Sequence, residues 1–557
     1  MPRKLYMETF GCQMNVLDSQ LVLSQLRALG YQQVDDRDDA DVILYNTCSV
    51  REHAEQKVWS RLGELRASKK ENPALIIGVI GCMAEREGRS IFQRYPQVDI
   101  LCGPGELDKL PAMVHNTVVT REGSGFGVQG SVDSSLNPEP RTLNPKRQVA
   151  LMGATTRRSS TLTAAEDHLE LLDLSRSVSS NDDISQAYVR ITRGCNKFCT
   201  YCVVPYTRGP EVHRPPQNII DEVKMLTDHG AKEVTLLGQT VNHYAYVHPD
   251  GHTTTFADLL YQIHEAIPHL PRLRFVTSFP RDFTNEALQA MRDCERICRY
   301  LHVPAQSASD RILKLMNRGY TAQAYRDFID RAREMMPDIS IASDFIVGFP
   351  TETEDDHRST LDLIKYCGFK NSFIFKYSPR PGTIAIDRFE DDVPEETKRR
   401  RNNEMLAVQQ QVSTEHNSRL LGQLIEVMVE GESKLISRQK RPAQNNVELG
   451  WDKSAARTAV AEIVQTQLVG RTRGDQVVCF DGEANLKGQL LDVRITRAQN
   501  LTLFGQLTSP AGAKDNARAP KLVAASDAHA APTGAKDDGR GRKPVVAEEA
   551  QPAPAGA

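Results

Sequence analysis

Six of the eleven cysteines in this chain of 557 residues lie in loops that follow predicted β-strands. Residues 1–115 alternate between strand and helix patterns, which predicts a parallel sheet with right-handed crossovers. A cysteine comes directly after each of three strands, and these are Cys12, Cys48 and Cys82. Because the carboxyl ends of parallel strands meet at one edge of a sheet, we expect the three thiols to converge there. The pattern predicts a metal site; the alternative is three unrelated buried cysteines.

The other three cysteines form the motif Cys195-x3-Cys199-x2-Cys202, directly after the first strand of a second α/β region. Three closely spaced thiolates can hold three irons of a [4Fe–4S] cluster. The fourth iron would then be open to a substrate, as one position is in a catalytic zinc site. The alternative is a zinc knuckle, which needs a fourth Cys or His nearby, and the nearest is His213.

Composition excludes several classes of protein. The chain has 69 Lys and Arg against 72 Asp and Glu, so its net charge of −3 gives no argument for nucleic-acid binding. With 40% hydrophobic residues it is not largely disordered. The longest apolar run, 74–84, is far short of the roughly 20 residues of a membrane span. The odd cysteine count and the lack of a signal core predict reduced thiols and a cytoplasmic location. We also expect a monomer.

The patterns divide the chain into five parts, in line with a length that favours three or four domains. Predicted strands lie at 5–10, 41–46 and 74–81, then at 188–192, 233–237, 273–277, 300–303, 340–347 and 372–377. A long helix at 393–420 is followed by strands at 425–429, 476–480, 490–495 and 501–504. The predicted α/β fold has an N-terminal parallel-sheet domain (1–115), a mostly disordered linker (116–184) with a short helix near 164–174, a partial (β/α)6 barrel (185–415), a small β-barrel (416–507) and a disordered tail (508–557).

Several motifs of these parts together point to one family. They are FGCQMN (10–15), NTCSVRE (46–52), GCMAER (81–86), RGCNKFCTYCVVPYTRG (193–209), LLGQTVNHY (236–244), DFIVGFPTET (344–353), YSPRPGT (377–383) and GRTRGDQVVCF (470–480). The chain resembles the radical S-adenosylmethionine methylthiotransferases over about 1–115 and 186–507. The last motif resembles the TRAM RNA-binding module. The residues that follow Cys48 resemble the branch that modifies isopentenylated tRNA.

The resemblance implies two [4Fe–4S] clusters and S-adenosylmethionine as cofactors. Cys195, Cys199 and Cys202 would hold the cluster that binds S-adenosylmethionine, and Cys12, Cys48 and Cys82 would hold the second. The implied reaction is the methylthiolation of C2 of N6-isopentenyladenosine at position 37 of tRNA. It also implies an electron donor and a source of sulfur as partners.

Polar residues at the ends of barrel strands are further candidates, because that face of a barrel carries the active site. The residues predicted on this ground to contact S-adenosylmethionine are Gln239, Asn242, Gln306, Ser343 and Asp344. The resemblance adds Tyr201, which matches the position that packs on the adenine of the cofactor. Structural roles are the alternative for each. The spacing of Thr351 and Glu354 predicts a capping box, in which Thr351 begins the following helix and does not contact the cofactor.

RNA binding rests on the resemblance more than on charge, since residues 421–504 hold 11 Lys and Arg against 10 Asp and Glu, a net charge of +1. Phosphate contacts need locally clustered charge, so a basic face remains compatible with this balance. The predicted RNA-binding residues are Arg438, Lys440, Arg471, Arg473, Arg494 and Arg497.

Two other functions stay open at this point. The same chemistry could act on threonylcarbamoyl-adenosine in tRNA or on an aspartate of a ribosomal protein. A noncatalytic iron–sulfur protein that binds RNA is the alternative from another class, and the intact C-x3-C-x2-C motif argues against it. The five remaining cysteines match no ligand position and are predicted to be packing thiols.

Overall fold

Six parallel strands form the N-terminal sheet, in the order β2-β1-β3-β4-β5-β6. A computed structural model describes residues 2–49, 52–122, 147–152, 170–178, 184–433 and 466–508. The strands of the sheet are β1 (Lys4–Phe10), β2 (Gln32–Gln33), β3 (Val42–Thr47), β4 (Ile76–Gly81), β5 (Ile100–Cys102) and β6 (Gln148–Ala150).

Helices cover both faces of this sheet. They are α1 (Gln13–Ala28), α2 (Glu52–Glu71), α3 (Cys82–Glu87), α4 (Ser90–Arg94) and α5 (Leu110–Glu122). Successive residues of a strand point to opposite faces, so Val42 and Leu44 join one core while Ile43 and Tyr45 join the other. A strand buried on both faces is apolar throughout, which is why β3 and β4 are continuous apolar runs.

The predicted linker 116–184 contributes to the folded part of the chain. Helix α5 runs to Glu122, and β6 pairs with β5, with Val149 opposite Leu101. Residues 170–174 are helical and place Asp173 in a buried position. The prediction of mostly disordered chain therefore does not hold for the described segments of this range. A three-residue strand that completes an existing sheet edge leaves almost no trace in composition.

The central region is the predicted partial barrel. Its strands are β7 (Gln186–Arg190), β8 (Thr192–Arg193), β9 (Val212–His213), β10 (Glu233–Leu237), β11 (Ala245–Val247), β12 (Thr253–Thr255), β13 (Arg272–Phe275), β14 (Tyr300–His302), β15 (Ser340–Val347) and β16 (Asn371–Lys376). Two parallel sheets, β7-β10-β13 and β14-β15-β16, follow the chain order. A single bridge between Leu273 and Ile297 connects β13 to the segment before β14.

Helices pack outside the barrel strands. They are α6 (Val204–Thr207), α7 (Pro216–Asp228), α8 (Phe256–Ala266), α9 (Asn285–Asp293), α10 (Asp310–Leu315), α11 (Ala322–Met335), α12 (Glu354–Cys367), α13 (Ile384–Arg388) and α14 (Glu395–Ser418). Thr353, in a capping box with Asp356, begins α12. The predicted cap at Thr351 is wrong, because that residue has a φ of 68° and belongs to the preceding turn.

The C-terminal region is a closed barrel in the order β17-β18-β19-β21-β20. Its strands are β17 (Leu424–Glu432), β18 (Thr466–Thr472), β19 (Val477–Gly482), β20 (Leu490–Ala498) and β21 (Thr502–Leu507). The sequence patterns predicted four of them and missed β18. Single turns of 3-10 helix lie at Arg37–Asp39, Leu107–Lys109, Val241–His243, Pro280–Asp282 and Ala484–Leu486. The predicted tail beyond Thr508 lies outside the described residues, and none of the described helices is long and apolar enough to cross a membrane.

Buried ion pairs join the N-terminal sheet domain to the central barrel. Asp18 on α1 accepts hydrogen bonds from Arg190 at 2.9 Å and from Arg208 at 2.9 Å. Arg190 Nε also lies 3.2 Å from Asp173 Oδ2. The side chains of Asp18, Arg190 and Asp173 are 0%, 2% and 2% exposed. Charges so deeply buried are tolerated only when each is paired.

Replacing Arg190 with methionine should destabilise the protein, because it leaves Asp18 and Asp173 buried with fewer cations. We expect Arg190→Met to lower the free energy of unfolding by about 3–5 kcal/mol. Urea unfolding followed by Trp59 fluorescence, in a Trp451→Phe background, measures the change. The matched control is Arg292→Met, which removes an exposed partner of Asp293 and should change little. Equal stability of Arg190→Met and the parent would show that the network does not join the two domains.

Candidate active site

The first cysteine set lies on tight turns at the carboxyl edge of the N-terminal sheet. Gly81 has a φ of 89°, and a side chain there would collide with Asn46. Asn46 in turn accepts a hydrogen bond from Asn15 Nδ2 at 2.9 Å. Asn15 Oδ1 lies 3.2 Å from Cys12 Sγ. The asparagines of the FGCQMN and NTCSVRE motifs therefore hold the Cys12 and Cys48 turns together.

Electrostatics favours a thiolate at one position of this set. A side-chain hydrogen bond with Cys48 lowers the pKa of Cys12 to about 6, and the positive charge of Arg208 acts in the same direction. Burial raises the pKa of Cys82, and the charge of Arg208 opposes that shift. Arg208 comes from the central barrel, directly after the VPYT helix α6. The barrel thus supplies positive charge to the thiols of the neighbouring domain.

The second cysteine set lies on the loop after β8. Gly194 has a φ of 65°, and a side chain there would overlap the Pro210 carbonyl, so only glycine lets the loop close. Thr200 anchors the middle of the loop, because its amide donates to the Met316 carbonyl at 3.1 Å. Burial raises the pKa of Cys195 to about 11 and also raises that of Cys202. These thiols would ionise on binding a metal, which supplies the charge that burial disfavours.

One cavity of about 1100 Å³ connects the two sets. Five of the six cysteines line it: Cys12, Cys48, Cys195, Cys199 and Cys202. Cys82 is buried beside them, within the electrostatic influence of Cys12. Residues more than 100 positions apart in sequence therefore face one space, and a reacting group inside it can meet both thiol sets.

Neither cysteine set forms a closed site for a single metal ion. In a tetrahedral zinc site with bonds of about 2.3 Å, the sulfurs lie less than 4 Å apart. In the described part of the chain, the only group of three or more ligand atoms within 4.8 Å of one another is that of Glu211, His213 and His243. His213 therefore does not complete a zinc knuckle with Cys195, Cys199 and Cys202. Three thiolates that are not gathered on one ion are compatible with a multi-iron cluster.

Four of the six residues predicted to contact S-adenosylmethionine line this cavity. They are Tyr201, Gln239, Gln306 and Asp344. Asp344 pairs with His302 Nε2 at 3.0 Å. Gln306 has a φ of 70°, and its main chain bonds to that of Asp344.

Asn242 and Ser343 are not among the described residues that line the cavity. Asn242 exchanges two hydrogen bonds with the main chain of Phe279, at 2.8 and 2.9 Å. Ser343 Oγ is fully buried between the Val303 carbonyl and the Ala305 amide. Both side chains thus bond to the main chain, and their contact with S-adenosylmethionine stays a prediction.

Arg318 is a cavity residue that the sequence reasoning missed. Its guanidinium donates to Cys199 Sγ at 3.4 Å and to the Pro304 carbonyl at 2.8 Å, and it lies 3.5 Å from the Tyr201 hydroxyl. The side chain is buried, with its charge next to the second cysteine set. Its position in the NRGYT segment, 116 residues after Cys202, carries no spacing signal.

The C-terminal barrel closes one side of the cavity. Arg272, fully buried, donates to the Glu426 carbonyl at 2.8 Å and to the Arg471 carbonyl at 3.0 Å. Lys370 pairs with Asp475 at 2.6 Å, and burial lowers the pKa of Lys370 to about 8. Arg471 and Asp475 line the cavity as a result.

Comparison with known families accounts for this arrangement of domains. Residues 4–103 match the uncharacterized protein family UPF0004, 189–364 match the radical SAM superfamily, and 462–508 match the TRAM domain. A tRNA-2-methylthio-N(6)-dimethylallyladenosine synthase from Rhodopirellula baltica is 43% identical over 91% of this chain and 96% of that protein. A protein of the same name from Bacteroides thetaiotaomicron is 38% identical over 90% of this chain and 96% of that protein. The chain belongs to this synthase family.

The matches confirm the predicted family, the transferase class and the tRNA methylthiotransferase function. The superfamily match also supports the predicted [4Fe–4S] and S-adenosylmethionine cofactors. Among solved structures, the radical S-adenosylmethionine methyltransferase TsrM from Kitasatospora setae, with cobalamin and a [4Fe–4S] cluster bound, has a TM-score of 0.46. It is 16% identical, and the match covers 69% of this chain and 74% of that one.

The four predicted RNA-binding arginines that lie in the described part of the chain have different partners. Arg471 lines the cavity and bonds to Glu430 at 2.7 Å. Arg473 and Arg494 donate to the carbonyls of Glu295 and Gly422, and Arg497 covers the ring of Phe504. Arg438 and Lys440 lie outside the described residues. Arg471 is thus the one of the four described arginines that lines the cavity.

The contact between Arg318 and Cys199 predicts a measurable effect on redox chemistry. A hydrogen bond to a charged group is worth about 1.5–3 kcal/mol, which sets an upper limit of about 130 mV for one electron. We expect Arg318→Met to lower the reduction potential of the iron–sulfur centre at Cys199 by tens of millivolts, because the reduced centre loses a compensating positive charge. An EPR-monitored redox titration measures it. Arg311→Met, at a half-exposed site paired with Asp356, is the control. An unchanged potential in Arg318→Met, with iron content intact, would contradict the role of this contact.

Proposed function

We propose that this chain methylthiolates C2 of N6-isopentenyladenosine at position 37 of tRNA, with two [4Fe–4S] clusters as cofactors. The observation that carries the proposal is the single cavity lined by cysteines of both sets. Sulfur insertion requires a radical source and a sulfur source to act on the same carbon atom. A shared cavity meets that requirement, and two separate sites would not.

Each cysteine set would hold one cluster through three thiolates. Cys195, Cys199 and Cys202 would hold the cluster that coordinates S-adenosylmethionine, and Cys12, Cys48 and Cys82 the other. The cluster at Cys195, Cys199 and Cys202, together with its bound S-adenosylmethionine, would supply the one-electron chemistry that generates a carbon radical. Two cysteines of each set are buried, which supports this assignment because a radical site must exclude water and competing donors: Cys48 and Cys82, and Cys195 and Cys199.

Residues of the chain would orient the bound groups. The Arg318 guanidinium would hold the Tyr201 side chain in position through its hydroxyl, and it places positive charge next to Cys199. Gln239, Gln306 and Asp344 present polar atoms at the strand ends, where the amino and carboxylate groups of an amino acid can be bound. Arg208 stabilises negative charge on the thiolates of the first set.

The tRNA would enter where the C-terminal barrel meets the central barrel. Phe373 and Phe375 on β16 line the cavity with their rings stacked, 44% and 40% exposed. Leu501, which also lines it, is 62% exposed. Exposed aromatic rings beside a basic residue such as Arg471 are the usual platform for unstacked RNA bases. An adenine must leave its stack to bring C2 into the cavity.

The rest of the sequence-based assignment follows from this proposal. The parts 1–115, 185–415 and 416–507 act as sulfur, radical and RNA-binding domains. The chain works as a monomer in the cytoplasm, where tRNA is modified. An electron donor and a sulfur source complete the reaction.

Iron analysis tests the two-cluster assignment. We expect about eight irons per chain after anaerobic reconstitution, and about four in each of two triple variants, Cys195→Ala/Cys199→Ala/Cys202→Ala and Cys12→Ala/Cys48→Ala/Cys82→Ala. Cys102→Ala, a buried thiol of the same N-terminal domain, is the control and should keep about eight. With dithionite, S-adenosylmethionine and isopentenylated tRNA, the 2-methylthio product should form in wild type and in Cys102→Ala and in neither triple variant.

Other outcomes of this experiment identify the alternatives. About four irons in wild type would contradict the cluster at Cys12, Cys48 and Cys82. Cleavage of S-adenosylmethionine without a tRNA product would move the substrate to threonylcarbamoyl-adenosine tRNA or a ribosomal protein. No cleavage at all would favour the noncatalytic RNA-binding protein.

Removing the aromatic platform should weaken tRNA binding. Stacking of a base on an aromatic side chain is worth about 1–3 kcal/mol, so we expect Phe373→Ala/Phe375→Ala to raise the Kd for tRNA by about fivefold or more. Fluorescence anisotropy at a fixed salt concentration measures it. The control is Tyr366→Ala, which removes an exposed aromatic residue on α12 that is not among the cavity-lining residues. Unchanged affinity with normal iron content would place the RNA elsewhere.

A further inference from the structure

Glu211, His213 and His243 form a cluster of metal-ligating side chains beside the cavity but are not among the described residues that line it. Their ligand atoms all lie within 4.8 Å of one another, as no other group of three or more does in the described ranges. None of the three was assigned a role by the sequence patterns, except that His213 was a possible partner for the second cysteine set.

Two elements bring these residues together. His213 lies on β9, which pairs with β8, and Glu211 comes two residues earlier. His243 ends the 3-10 turn that follows β10. Glu211 Oε2 is 2.8 Å from His243 Nδ1, and the Thr240 hydroxyl donates to Glu211 Oε1 at 2.5 Å. The positions of all three ligands are therefore set by the barrel scaffold.

One histidine nitrogen of the cluster has no hydrogen-bond partner among the described residues. Nδ1 of His213 is buried and makes no hydrogen bond to the described residues. A buried nitrogen without a partner is costly unless something absent from the protein chain satisfies it.

The carboxylate of the cluster is almost completely buried. The Glu211 side chain is 1% exposed, whereas that of His243 is 44% exposed. The nearest cation is Lys197, and it pairs with Asp282 at 2.5 Å. A buried carboxylate facing two imidazoles, with the adjacent lysine already paired, is an environment that favours a cation.

We propose that Glu211, His213 and His243 bind a divalent transition-metal ion of the Zn²⁺ class. One carboxylate oxygen and two imidazole nitrogens are a ligand set that such ions prefer. Ligands at about 2.0–2.2 Å from one tetrahedral ion are about 3.4 Å apart, so Glu211 and His243, now 2.8 Å apart, would need to separate only slightly to bind one. The exposed side of His243 leaves room for a water ligand.

The ion would strengthen the base of the second cysteine loop. The Glu211 amide donates to Asn196 Oδ1 at 3.1 Å, and the Cys195 amide donates to the Gly209 carbonyl at 3.2 Å. A metal bound to all three ligands would connect Glu211 and His213 to His243 in the turn after β10. Because the segment 209–211 bonds to Cys195 and Asn196, the same metal would also fix the loop that carries Cys195. The inference rests on the three ligands alone and does not depend on the proposed function.

Zinc loading of the reconstituted protein tests the site. We expect holoprotein dialysed against Zn²⁺ to bind one zinc per chain in addition to its iron. Glu211→Gln, His213→Gln and His243→Ala should each raise the Kd for zinc at least about 10-fold. His269→Ala disrupts an exposed pair with Asp228 that belongs to no three-ligand group among the described residues; it is the matched control and should bind zinc as wild type does.

X-ray absorption at the zinc edge separates this site from the cysteines. We expect a shell of nitrogen and oxygen at about 2.0–2.1 Å and no sulfur shell near 2.3 Å. A sulfur shell, no zinc in the holoprotein, or zinc binding that all three variants retain would overturn the proposal. If Glu211→Gln fails to fold, as judged by lost iron, the Kd for zinc of His243→Ala, which changes the exposed ligand, is the deciding measurement.

Discussion

The buried carboxylate of Asp18, held between Arg190 and Arg208, is the interaction on which the shared cavity depends. Asp18 belongs to the helix that begins just after Cys12, and Arg208 follows the loop of Cys195, Cys199 and Cys202. Pairing these residues positions the two cysteine sets relative to each other. The same arginine then places its charge near Cys12 and Cys82. One ion-pair network thus serves both the docking of two domains and the electrostatics of the site.

The contact between the central barrel and the C-terminal barrel also depends on buried arginines, which here donate to main-chain carbonyls. Arg272 and Arg274 emerge from β13 and donate to main-chain carbonyls of the C-terminal barrel, at Glu426, Arg471 and Thr472. Hydrogen bonds to the main chain fix position without requiring a particular partner side chain. The cavity therefore gains a third wall whose location is set by the backbone. The side chains that face the cavity, such as Arg471, remain available to a substrate.

The sequence patterns located most of the strands and the six cysteines because both depend on local information. Period-2 runs and their turns are visible in a window of a few residues, as in β10 and β15. The strand in segment 147–152 was missed because it is stabilised by a distant partner, β5. The short helix predicted near 164–174 is present at 170–174 in the described residues. The roles of Asn242 and Ser343 cannot be read from local sequence for a related reason. A polar residue at a strand end has the same sequence context whether it faces a cavity or bonds to the neighbouring main chain.

The sequence by itself determined the chemistry of this protein, through the types and spacing of its six cysteines, and the family to which it belongs. Spacing within one loop is local, so Cys195, Cys199 and Cys202 can be recognised as a ligand set without a structure. Only the tertiary structure decided that both sets line one cavity, that Arg318 contacts Cys199, and that Glu211 meets His213 and His243. Apart from the neighbours Glu211 and His213, these juxtapositions join residues about 30 to 190 positions apart. They arise from buried charge pairing and strand order, which no local pattern encodes.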